Sequence, residues 1–96
     1  MTTKSIIVNS PINEVYNRIQ TIKGYTLKVK DYHSYTLELS TGITLTSWGM
    51  KYPIRLIELS PMQTQIDIGM KPASPLQFDQ HSEHDKCVKK IISILQ

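Results

Sequence analysis

At Gly24 the spacing of apolar residues changes from threes and fours to twos, so one helix must give way there to a run of strands. Before it, Ile12, Val15, Tyr16, Ile19 and Ile22 form one apolar stripe, while Asn13, Asn17, Arg18 and Gln20 face away. That pattern belongs to an amphipathic helix lying on a core. Ser10 suits the N-cap, Pro11 suits the first helical position because its missing N–H costs nothing there, and Glu14 falls in the first turn near the positive end of the helix dipole. Gly24 supplies the C-terminal glycine. After it, Tyr25, Leu27 and Val29 alternate with Thr26, Lys28 and Lys30, as in a strand covered on one face only.

The period of two persists. Residues 31–34 read as a turn, Tyr35, Leu37 and Leu39 as the inward positions of a second strand, and Ser40-Thr41-Gly42 as a turn into a third carrying Ile43, Leu45 and Ser47. Trp48-Gly49-Met50 breaks the run; residues 52–59 and 63–68, joined by Ser60-Pro61-Met62, complete a five-strand antiparallel meander. Within 52–59 the phase slips, with Ile54 and Leu56 on one side and Ile57 and Leu59 on the other, which predicts either a bulge or burial on both faces. Ahead of the helix, the β-branched Ile6, Ile7 and Val8 make residues 5–9 an opening strand. Residues 70–82, with Pro72 and Pro75, read as a link to a last helix starting at Ser82 or Glu83, with Val88, Ile91, Ile92 and Leu95 on its apolar face. The expected order is β-α-β-β-β-β-β-α, an α+β fold with both helices packed on one antiparallel sheet. No internal repeat, low-complexity tract or composition break divides residues 1–96, which implies a single domain.

Size and charge narrow the function classes. A 96-residue chain with 40% hydrophobic residues can bury roughly two-thirds of its unfolded surface around one core. No apolar run approaches the about 20 residues needed to cross a bilayer, and Met1-Thr2-Thr3-Lys4 leads into a strand instead of a signal-peptide core, so a cytoplasmic location is expected. The single cysteine, Cys87, excludes an internal disulfide. Eleven Lys and Arg against eight Asp and Glu give a modest net charge of +3, spread over the chain. Lys86, Lys89 and Lys90 form the one local concentration, where cations complement the end of a helix dipole.

The densest group of ligating side chains is Asp79, His81, Glu83, His84, Asp85 and Cys87; on a helix His81, His84 and Asp85 would share a face for a metal. No established zinc spacing is matched, and acidic residues belong in a first helical turn in any case, so neither metal nor cofactor is assigned. Cys87 has His84 one turn away as a conceivable base, but a structural thiol explains it equally. Tyr16 is expected to seal the first helix against the sheet, Tyr32 to lie in a turn, and Trp48 and Tyr52, flanking a strand break, to stand at the rim of any pocket. No acid–base pair, nucleophile–base pair or phosphate loop can be placed, which argues against an enzyme.

Ser47-Trp48-Gly49, the two strands after it, and Leu76-Gln77-Phe78-Asp79 leading to Val88-Lys89-Lys90-Ile91-Ile92 are similar to small bacterial proteins of the START-like (SRPBCC, Bet v 1-like) helix-grip superfamily. The chain resembles a shortened member along nearly its whole length, departing from the pattern where Gln80-His81-Ser82-Glu83 replaces a Gly-rich turn. The resemblance implies a sheet gripping a C-terminal helix, with apolar molecules held between them in larger members, some of which are cyclases or hydrolases; no shared catalytic motif carries over. The strand order also resembles the TATA-binding half-domain, but only two arginines, Arg18 and Arg55, are present, which argues against nucleic acid.

Two function classes follow. One is a module binding a small apolar or aromatic molecule between sheet and last helix, walled by Leu37, Leu39, Leu45, Trp48, Tyr52, Ile54, Leu56, Ile66, Val88 and Ile92. The other is a non-enzymatic interaction module with a solid core, pairing with a second copy as a homodimer or with another subunit.

Overall fold

The computed structural model describes residues 2–41, 50–72 and 80–95. Its elements run β1 (Thr2–Val8), α1 (Ile12–Ile19), β2 (Thr26–Asp31), β3 (Thr36–Ser40), β4 (Met50–Ser60), β5 (Gln63–Pro72) and α2 (Gln80–Leu95). Five strands form one sheet in the order β1-β5-β4-β3-β2, with every neighbouring pair antiparallel. The meander β2 to β5 is therefore local, whereas β1 returns from the start of the chain to lie beside β5. The expected strand at 43–47 falls outside the described residues; β3 pairs directly with β4, Thr36 opposite Arg55 and Ser40 opposite Lys51.

Strand alternation sorts the side chains into two faces. Leu37 and Leu39 of β3, Tyr52, Ile54 and Leu56 of β4, and Ile66, Ile68 and Met70 of β5 are all buried on the inner face, and register aligns them in rows such as Ile6-Ile66-Leu56. Thr36, Arg55, Asp67 and Ser5 form a polar row across the outer face. The phase slip read in β4 resolves into a register shift between Glu58 and Ser60, at the strand's end; Ile57 is half-buried and Leu59 exposed.

The stripe of α1 is buried in full, Ile12, Val15, Tyr16 and Ile19 with Ile22 beyond the helix. Its cap differs from expectation. Pro11, with extended backbone, is the N-cap residue; its carbonyl accepts from the N–H of Val15 at 3.0 Å, and no side chain caps the helix. Ser10 instead offers its carbonyl to the Thr64 hydroxyl, 2.8 Å away, which ties the helix entry to β5. The helix also ends earlier than Gly24: Thr21 and Ile22 close tight turns onto Arg18 and Ile19, and Gly24 takes a φ of +89°, a conformation that L side chains rarely adopt.

The β2–β3 turn folds back on α1. Asp31 accepts the His33 N–H at 2.9 Å, and Tyr35 sits at φ +53°, which carries its ring against Tyr16 at 5.3 Å and its hydroxyl onto Asn13. Tyr32 packs edge-on against the same Tyr16 ring at 5.5 Å. Tyr16 thus seals α1 and Tyr32 lies in the turn, as expected.

α2 begins at Gln80, ahead of the expected start, and its buried face also differs. His84, Cys87 and Ile91 are fully buried, while Val88 and Ile92 stand half-buried at the flank. Spacings of three and four link 84, 87 and 91, so the contact face is rotated from the one the aliphatic residues alone suggest. Among the described residues no helix is long and apolar enough to cross a membrane.

Candidate functional site

Beneath the first half of α2 the structure is packed and carries its own polar fastenings. The Tyr52 hydroxyl donates to the Glu83 carbonyl at 3.3 Å, and His84 Nε2 lies 2.8 Å from the Ile68 carbonyl. A carbonyl only accepts, so Nε2 is the donor in this pair. The Nδ1 of the same ring is buried without a partner among the described residues. The Tyr25 and Tyr52 rings meet edge to face at 5.7 Å, and burial raises the pKa of both hydroxyls. Burial likewise pushes the Cys87 thiol up to about 12, against a hydrogen bond with Tyr25. A thiol so poorly ionised is no nucleophile near neutral pH.

Further along, the grip opens. Between the end of β1 and the last turns of α2 lies an open cleft of about 590 Å³, lined by Ile6, Ile7, Val8, Asn9, Ser10, Ile92 and Leu95. Ile6 and Val8 face inward because they alternate with Ser5 and Ile7; Ile92 and Leu95 share the flank that α2 turns toward the sheet edge. The same seam continues past Ile6 to Lys4, whose ammonium pairs with Asp85 one helical face above it. Lys4 holds the Asp85 carboxyl below the usual range. Thus the same strand and helix carry an apolar cleft and, further along, a partly exposed ion pair.

A second hollow, about 470 Å³, lies on the outer sheet face, where Pro53, Gly69 and Thr3 leave a low row beside Arg55 and Asp67. Asp67 accepts from the Ser5 hydroxyl at 2.6 Å and the Gln65 amide at 2.9 Å; with Arg55 nearby, these hold its carboxyl below the ordinary value.

The expected wall residues separate into three groups. Leu37, Leu39, Ile54, Leu56 and Ile66 form the buried floor of the inner face. Tyr52 joins them, fully buried and bonded to α2, and so stands in the core and not at a rim. Val88 and Ile92 are half-buried on α2, and Ile92 reaches the cleft. Leu45 and Trp48 lie outside the described residues. Sequence reading missed Ile6 and Val8, whose period-two alternation with the polar Ser5 and Asn9 was the available signal, and it missed Cys87 and His84 as contact residues because neither is aliphatic. His84 and Asp85 point apart, one into the core and one to Lys4, and the His81 side chain is outside the described set; among the described residues no three ligating groups converge.

No family model matches the sequence, and no curated protein matches it. Solved structures do match in shape. The di-domain ARO/CYC StfQ from the steffimycin biosynthetic pathway superposes with a TM-score of 0.74 at 8% identity, over 99% of this chain and 43% of that one. A START superfamily protein from Mycobacterium smegmatis gives 0.66 at 7% identity, over 98% of this chain and 92% of its own. Ara h 8.0201 gives 0.62 at 10% identity, over 98% and 93%. This chain therefore spans less than half of the di-domain protein and nearly all of the other two. With an N-terminal strand and helix, an antiparallel sheet and a closing helix laid across its inner face, the chain has a START-like helix-grip fold.

Proposed function

We propose that this chain is a cytoplasmic, single-domain module that binds a small apolar or aromatic molecule in the seam between β1 and α2. The observation that carries this reading is the cleft of about 590 Å³, walled by Ile6 and Val8 from the sheet and Ile92 and Leu95 from the helix. Its size falls within the roughly 300 to 1,000 Å³ of ordinary small-molecule sites. Of the wall residues expected from the sequence, Ile92 is the one among the described residues that lines this cleft, and Ile6 beside it pairs with the core residue Ile66. Neighbours in shape include aromatase/cyclases; the reading proposed for this chain is of binding, with the buried Cys87 packed in the core and not at the cleft.

Ile92→Lys tests the reading, because a half-buried flank position can turn a lysine stem outward while placing charge at the cleft. With 2-naphthol or 1-octanol as probe, saturable shifts in amide NMR spectra at Ile6, Val8 and Leu95 are expected, at least tenfold weaker in the variant with its thermal midpoint held within a few degrees. Binding that ignores the substitution, or no saturable binding at all, would reject the site.

A second reading rests on the packed interior beneath His84, Cys87 and Ile91 and on the open edge of β1, where Ile7 is 59% exposed. There the chain would be a solid-cored interaction module, pairing with a copy of itself along that edge. Native mass spectrometry separates the two: a retained small molecule favours the cleft, a bare dimer favours the edge.

A further inference from the structure

The seam between β1 and α2 has two chemically different ends, and their alignment defines what it would hold. Alternation puts Lys4, Ile6 and Val8 on the same face of β1, with about 13 Å of strand between the backbones of Lys4 and Val8. On α2, Asp85 and Ile92 are separated by two turns, about 10 Å. The Lys4–Asp85 pair thus lies beyond Ile6 along the same strand face and helix flank, next to the residues that line the cleft.

We propose that the seam takes an amphipathic monocarboxylate, its apolar body between Ile6, Val8, Ile92 and Leu95 and its carboxylate on Lys4 in the place that Asp85 holds. This rests on the binding reading above and adds the charge of the ligand. Asp85 is the internal stand-in: a carboxylate delivered to Lys4 from the helix side, about half exposed, and so free to swing to water when another carboxylate arrives. Lys89 also bears on the Asp85 carboxyl, so the displaced ion pair leaves a region of positive potential for the incoming head group. The exchange replaces one ion pair by another of the same kind; most affinity comes from burying the apolar body, while the pair decides which head group is accepted.

Matched probes isolate that choice. Octanoate and 1-octanol share an apolar body and differ in charge, and calorimetric titration of the full chain reads both. Octanoate is expected to bind more tightly than octanol. Lys4→Met should weaken octanoate about fivefold and leave octanol unchanged, and Asp85→Asn should strengthen octanoate about threefold, factors consistent with a partly exposed ion pair. Unchanged octanol binding also certifies that each variant is folded. If both probes bind equally well to all three proteins, the carboxylate assignment is overturned while the binding site stands. If octanoate is preferred but Lys4→Met does not weaken it, Lys4 is not the receptor and the proposal is overturned. If neither probe binds, the proposal and the reading beneath it fall together.

Discussion

Thr64 shows how one side chain can set the entry of a helix. It is fully buried in β5, a strand otherwise apolar on that face, and its hydroxyl reaches the Ser10 carbonyl just ahead of α1. Thr64→Val keeps the shape and leaves that carbonyl without its donor, so a loss of about 1 kcal/mol is expected. Thr64→Ser keeps the bond and should recover part of it; urea denaturation compares the three, and equal loss in both variants would contradict the assignment. Asp67 gives a pH signature at the same scale. Its carboxyl is held below the ordinary value of 3.8 chiefly by the Ser5 hydroxyl, then by Gln65. A lowered folded value means the stabilisation is whole above the unfolded carboxylate range and drains away as pH falls through the folded value. The drop in thermal midpoint on acidification below about pH 4 should therefore be shallower in Asp67→Asn than in the parent. An identical acid profile would rule that contribution out.

Among the described elements, α1 and the five strands were legible and α2 was legible only in part. The stripe from Ile12 to Ile22 and the alternation of Leu37 with Leu39 and of Ile54 with Leu56 are written in aliphatic and aromatic residues, which period alone detects. The face of α2 is written partly in His84 and Cys87, and a reading that counts only aliphatic residues shifts toward Val88 and Ile92. Ser10 misled for a related reason: a good capping residue stood where a proline's backbone already supplied the first helical acceptor. The buried inner face of the sheet was recoverable from alternation, but the cleft was not, because it depends on β1 pairing with β5 across more than fifty intervening residues. These two faces of α2 make opposite forecasts. Ile91→Ala should cost about 2 to 5 kcal/mol as a core truncation. Ile92→Ala, at the half-buried flank, should cost clearly less, and chemical denaturation that ranks Ile92 above Ile91 would overturn the observed rotation.

At the scale of the molecule, the two walls of the cleft are the first strand and the last helix of the described fold. The meander from β2 through β5 is built from strands adjacent in sequence, whereas Lys4 and Asp85 meet across 81 positions. Contacts of that range form late, since the chain between them must already be ordered before closing the loop is rewarded. Loop closure at that range predicts that the seam assembles after the meander and opens before it. A molecule held in it would bridge the two most distant stretches of the chain, acting as a reversible clasp, and its occupancy would report whether β1 and α2 had closed on each other.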